Sequence, residues 1–133
     1  MSEKLYFNFD ASLRVFGQID DLSEIFRIVG IEPTHSHKKG EKRTEISAPY
    51  EHDMWIYTPP IEGIEKLSVH LDTLWGVIRP NIDEIKKLKE KYTVNILCGY
   101  RSNSDTAGFN VDYKSLKIFE ELEVPFDVSV IIA

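Results

Sequence analysis

The sequence predicts an α+β fold: a two-layer sandwich whose single, mostly antiparallel or mixed sheet of about five or six strands carries helices on a face. Three observations lead there. Residues 5–16 alternate strictly, with Phe7, Phe9, Ala11, Leu13 and Val15 on one side and Tyr6, Asn8, Asp10, Ser12 and Arg14 on the other. Period two over that length is the pattern of a long strand with one buried face. Apolar stripes at helical spacing then interleave with further extended segments, in the order β-α-β-β-α(-α)-β-α-β. The chain has 133 residues, enough to bury one core and too few for two domains.

Gly17 ends the first strand. Asp21-Leu22-Ser23-Glu24 follows as an N-cap with Glu at the third position. Leu22, Ile25, Phe26 and Val29 make one stripe, so a short helix is expected to stop at Gly30 in the left-handed conformation, with Pro33 preventing its resumption. Arg43 to Tyr50 and Asp53 to Thr58 read as two short strands around Pro49–His52. In the second, Met54 and Ile56 alternate with Trp55 and Tyr57, and both sets are apolar enough to face inward. Pro59-Pro60 terminates it.

Ile64, Leu67, Leu71, Leu74, Trp75 and Ile78 describe a longer helix, with His70 and Asp72 off its stripe. Pro80 forces a kink or a restart, for which Asn81 offers a fresh cap. Ile82, Ile85, Leu88 and Tyr92 continue the apolar face, opposite Lys86, Lys87, Lys89 and Lys91, which suit the negative end of the helix dipole. Val94, Ile96 and Cys98 give a strand, residues 101–105 a polar loop, and Gly108 to Val111 a short extended piece. Asp112 caps a helix carrying Leu116, Phe119 and Leu122. Pro125 separates it from a last strand, Phe126 to Ile132. The hydrophobic first and last strands are expected in the middle of the sheet, which makes Leu13 and Val130 core positions.

The 42% hydrophobic and 29% charged fractions are those of an ordinary globular protein. A net charge of −6 argues against nucleic-acid binding, which depends on neutralising phosphates. The charge is uneven, because Lys38, Lys39, Lys42 and Arg43 stand against Glu41 alone in one loop. The single cysteine, Cys98, excludes an intrachain disulfide and a Cys-based zinc site. Met1 to Lys4 lacks the features of a secretory leader, and no apolar run approaches the ~20 residues of a membrane span. A cytoplasmic protein is expected.

The loop from Gly30 to Gly40, Gly-Ile-Glu-Pro-Thr-His-Ser-His-Lys-Lys-Gly, resembles the segment that identifies the bacterial domain of unknown function 4279. The flanks fit as well: a long strand with Leu13-Arg14-Val15-Phe16-Gly17, a capped helix, a tryptophan strand at Trp55, a helix running to Arg79-Pro80, a Cys98-Gly99 strand and a helix–strand ending. The resemblance implies an α+β domain in bacterial proteins. It brings no activity, so no catalytic residue comes with it.

Among candidate sites, His35 and His37, with His52 nearby, are the metal-like set, since a His-x-His pair on a strand points both rings to one side. No carboxylate or thiol stands at ligand spacing beside them, and the neighbouring lysines repel a cation; no metal and no cofactor is expected. Ser36 beside two histidines is not a triad, because adjacency is not that geometry. Cys98 in an apolar strand reads as a small core residue. With no catalytic constellation, a non-enzyme is expected: an interaction module that presents an acidic surface and one basic loop to a protein partner. Immunity proteins that neutralise a basic toxin are among small acidic bacterial proteins of this size, and only size and charge suggest that analogy. The alternative is a small-ligand or anion-binding protein that uses Lys38, Lys39, Lys42 and Arg43, with Trp55 or Tyr57 beside them; Trp55, Tyr57, Trp75 and Tyr100 are the aromatic candidates for lining a ligand groove, with Arg101 and Asn103 as polar contacts.

Overall fold

A computed structural model describes residues 4–133; Met1, Ser2 and Glu3, read from the sequence as carrying no secretory leader, lie outside the described residues. The strands are β1 (Phe7–Gly17), β2 (His35–His37), β3 (Asp53–Tyr57), β4 (Thr93–Ser102) and β5 (Phe126–Ile132). The helices are α1 (Leu22–Val29), α2 (Leu67–Ile78), α3 (Ile82–Leu88) and α4 (Lys117–Leu122). The five strands form one mixed sheet in the order β2-β3-β1-β4-β5. Three pairings are antiparallel, and β4–β5 is parallel.

The alternation in β1 sets the layers. Phe9, Ala11, Leu13 and Val15 are buried and face the helices. Their cross-strand neighbours Trp55 on β3 and Val94, Ile96 and Tyr100 on β4 share that face and are buried too. Ile25 and Val29 of α1, Leu67, Leu71, Leu74 and Ile78 of α2, Ile85 of α3, and Ile118 and Leu122 of α4 close the core from the other side. Trp55 is fully buried, which settles the inward face of β3: Met54 and Ile56 point to the side of the sheet without helices. His70, expected off the stripe, is buried as well.

Local chemistry fixes the helix ends. Asp21 accepts from the Ser23 amide (3.0 Å) and hydroxyl (2.7 Å) and pairs with Arg27 at 3.3 Å. These hydrogen bonds, more than the Arg27 charge, hold its carboxyl below the usual range. Gly30 ends α1 with φ 75° and ψ 16°, as the stripe and Pro33 require, and donates to Phe26 O at 2.7 Å. Asn81 makes no side-chain cap for α3. Its amide donates instead to Val29 O at 2.7 Å and so caps the end of α1. Pro80 sits in a single 3-10 turn, Arg79–Asn81, that joins α2 directly to α3. This is the restart that its missing N–H dictates.

Three expectations are corrected. Residues 43–50 form turns, not a strand; the partner of β3 is β2, at His35–His37. Alternation could not reveal it, because all three β2 residues are polar and the strand exists through its ladder to β3. The second helix begins at Leu67, and Ile64 lies outside it, 78% exposed. The last strand is not central. Only β1 holds the middle, and β5 lies at the edge, where Val130 is 56% exposed.

Candidate interaction surface

The basic loop is built around Asp53, the buried first residue of β3. One carboxylate oxygen accepts from the Ile19 amide (2.7 Å) and from Lys38 Nζ (3.2 Å); the other accepts from the Lys39 amide (2.7 Å). Backbone hydrogen bonds, with Lys38 contributing last, hold this carboxyl below its ordinary range. Lys38 Nζ also donates to Ile19 O. The loop then closes on itself: Gly40, at φ 90°, donates to Tyr50 O (3.0 Å), and the Tyr50 amide donates to Glu41 O (2.9 Å). Tyr50 stacks on His37 with ring centroids 3.5 Å apart and planes within 5°.

His35 and His37 share one side of β2, as a His-x-His pair on a strand must. Their rings bond to each other, Nε2 of His35 to Nδ1 of His37 at 2.9 Å. Burial first, and the neighbouring His35 second, lower the His37 pKa, with Glu41 and Asp53 opposing. His52 lies against Phe16 instead of joining the pair. Among the described residues, no three His, Cys, Asp or Glu side chains converge on a point that a metal ion could occupy.

The remaining sequence-predicted contacts do not come together. Lys38 is tied to Asp53, and Lys39 is held by its backbone while its side chain is exposed. Lys42 and Arg43 project from the exposed tip. Trp55 is fully buried under α1 and Tyr57 half-buried on the same face, so neither forms a wall beside those cations. Arg101 is not in a loop. It lies on β4 opposite Asn8, at the other end of β1 from the Gly17–Asp53 pair on which the basic loop rests. Asn103 accepts from the Tyr6 amide and donates to Lys4 O, tying down the start of the chain. Trp75 is partly buried against the core, and Tyr100 is buried between Phe9 and Phe109. Burial, with Asp10 and Asp127 adding, pushes the Cys98 thiol up to about 12, which keeps it protonated at neutral pH.

A surface the sequence did not disclose lies across the sheet. Among the described residues, no strand pairs with the outer edge of β5. Phe126, Val130, Ile131 and Ile132 are 40%, 56%, 43% and 48% exposed. The strand contains no Lys, Arg or Pro and no bulge interrupts its ladder to β4, so it lacks the usual devices that discourage strand addition. Its orientation can be read from one bond: Ala133 donates to Ser102 O at 3.0 Å, toward β4. Alternate residues of a strand point to alternate sides, so the backbone groups of Phe126, Val128, Val130 and Ile132 point outward. The signal available in sequence was the β4–α4–β5 order, because a short helical crossover returns a parallel strand beside its predecessor, and β1 already occupies the other side of β4.

Comparison with known proteins gives one match. The family model described as a domain of unknown function, DUF4279, matches residues 4–132. No curated protein and no solved structure matches the chain. Two features behind the resemblance are visible in the fold: the Gly30–Gly40 segment carries the α1 stop and β2, and the long first strand is the sheet's centre. The match covers essentially the whole chain, which therefore belongs to the DUF4279 family of domains of unknown function.

Proposed function

We propose that this domain is a non-enzymatic protein-interaction module that takes an extended segment of its partner along the free edge of β5. One observation carries the reading: a seven-residue edge strand with outward backbone groups and exposed Val130, Ile131 and Ile132. In strand addition, main-chain hydrogen bonds supply affinity and alternate side chains supply specificity. Backbone amides left to water on an apolar edge are the template such a segment requires. The anion-binding alternative has less support, since Lys38 is committed to Asp53 and Trp55 is out of reach.

Val130→Pro tests the proposal. Proline removes an outward N–H that β4 does not use, so the fold tolerates it while strand addition loses a central hydrogen bond. Affinity capture from the cells that make the protein, run side by side with wild type and variant, should recover a binding protein with wild type alone. Equal recovery with both, from variants that melt alike, would remove β5 as the docking element.

A further inference from the structure

We infer that the segment added to β5 is β5 of a second copy, antiparallel and related by a two-fold axis at Ser129. The inference rests on the reading of β5 as a docking edge and names its occupant. The strand runs Phe126–Ile132, so Ser129 is its midpoint and the antiparallel register about it pairs the whole strand with itself. Phe126 then stands opposite Ile132, and Val128 opposite Val130. These are the residues whose backbone groups already point outward, so each pair exchanges its hydrogen bonds without rotation of the strand. The same pairs bring the exposed apolar side chains of the helix-side face together. An isologous contact of this kind closes on itself and forms no fibre.

Charge favours the second copy as well. Asp127 is the only charged residue of β5. In this register it faces Ile131 of the other copy, and the two Asp127 residues lie about 13 Å apart along the strands, beyond the ~8 Å screening length of physiological salt. Arg101 is the neighbour of Ile131 on β4, exposed and without an ion pair among the described residues. Reading across the sheet away from the helices, the row becomes Arg101, Ile131, then Asp127 of the second copy. Strands lie about 4.8 Å apart, so the Cα atoms of Arg101 and that Asp127 are about 10 Å apart, a gap that their two side chains together can span. The two-fold axis repeats the pair at the other end of the interface. Arg101, without an ion pair among the described residues, and a self-complementary apolar strand thus find partners in one operation.

Sedimentation of the full chain over a range of concentrations, at physiological salt to screen the −6 charge on each copy, tests this. Wild type should pass from monomer to dimer as concentration rises, and Val130→Pro should remain monomeric. Arg101→Glu and Asp127→Lys should each raise the dimer Kd on the order of tenfold, because each sets like charges together, and the double exchange should recover most of that loss. Thermal melts of each variant separate loss of pairing from loss of fold. A wild type that stays monomeric throughout overturns the two-fold, as does a dimer indifferent to Val130→Pro. Charge exchanges without mutual rescue overturn the register. A monomeric wild type whose captured partner is lost with Val130→Pro would overturn self-pairing alone and leave the docking edge standing.

Discussion

The sheet has two edges, and they are finished in opposite ways. At β2 the edge is three residues long and polar, and two of its three side chains are engaged: His35 and His37 bond to each other, Tyr50 covers His37, and Asp53 pins the loop that follows. At β5 the edge is seven residues long and mostly apolar, and among the described residues nothing pairs with its outer side. A protein gains solubility by shortening or covering such an edge, as it has done at β2. Leaving the other open in the same small domain points to use. The basic loop, the most conspicuous stretch of the sequence, belongs to the guarded edge, where much of its chemistry is spent on holding itself down.

The largest contrast to test is between the sheet's centre and its bare edge. Leu13→Ala removes a fully buried side chain of β1 that its neighbours enclose on every side, and should cost about 2–5 kcal/mol in urea unfolding. Val130→Ala removes a side chain of similar hydrophobicity that is more than half exposed, and should cost less than about 1 kcal/mol. Equal losses would mean that something covers β5 in the folded chain and that the two edges do not differ as described.

A smaller effect separates the guarded edge from the bare one. Asp53→Ala strips the partner from the Ile19 and Lys39 amides and from Lys38 at once. Leaving buried donors unsatisfied costs roughly 1–3 kcal/mol, so the midpoint should fall and limited proteolysis should begin in the 38–52 loop. Association through β5 should be unchanged, since Asp53 lies at the opposite side of the sheet. A variant that kept the loop protected would show that Tyr50 and His37 suffice to hold it.

How much of this was legible follows from where sequence periodicity carries information. The first strand, the stop at Gly30 and the helical stripes were legible because each is local: a period, a glycine with positive φ, a cap. Strand β2 was not, since nothing in His35-Ser36-His37 alternates in hydrophobicity and its position comes from a ladder to residues about twenty positions away. The edge position of β5 was hidden for the opposite reason. Its alternating Phe126, Val128, Val130 and Ile132 look like a buried strand, and a pattern of apolar residues does not distinguish a face covered by helices from one awaiting a partner. The candidate contacts failed similarly. Trp55 and Arg101 are typical ligand-binding residue types, but their strands place one in the core and the other at the far end of the sheet.

The finest test of the guarded edge is its response to pH. His37 is buried beneath Tyr50 and bonded to His35, and both burial and the second ring disfavour its protonated form, so its folded pKa lies below its unfolded value of about 6.5. Between those two values the unfolded chain binds more protons than the folded one, so stability rises with pH there and falls as pH drops. Glu41, Asp53 and a backbone hydrogen bond at His52 pull the other way without reversing the direction. One group can contribute at most about 1.4 kcal/mol per pH unit within that window. The urea midpoint should therefore decline from pH 7 toward pH 5, and the decline should shrink in His37→Phe, which keeps a ring under Tyr50 and carries no proton. Strand pairing at β5, which has no histidine, should not follow this decline. A wild-type midpoint that is flat over the range, or a His37→Phe variant with the same slope, would remove His37 as the titrating lock of this edge.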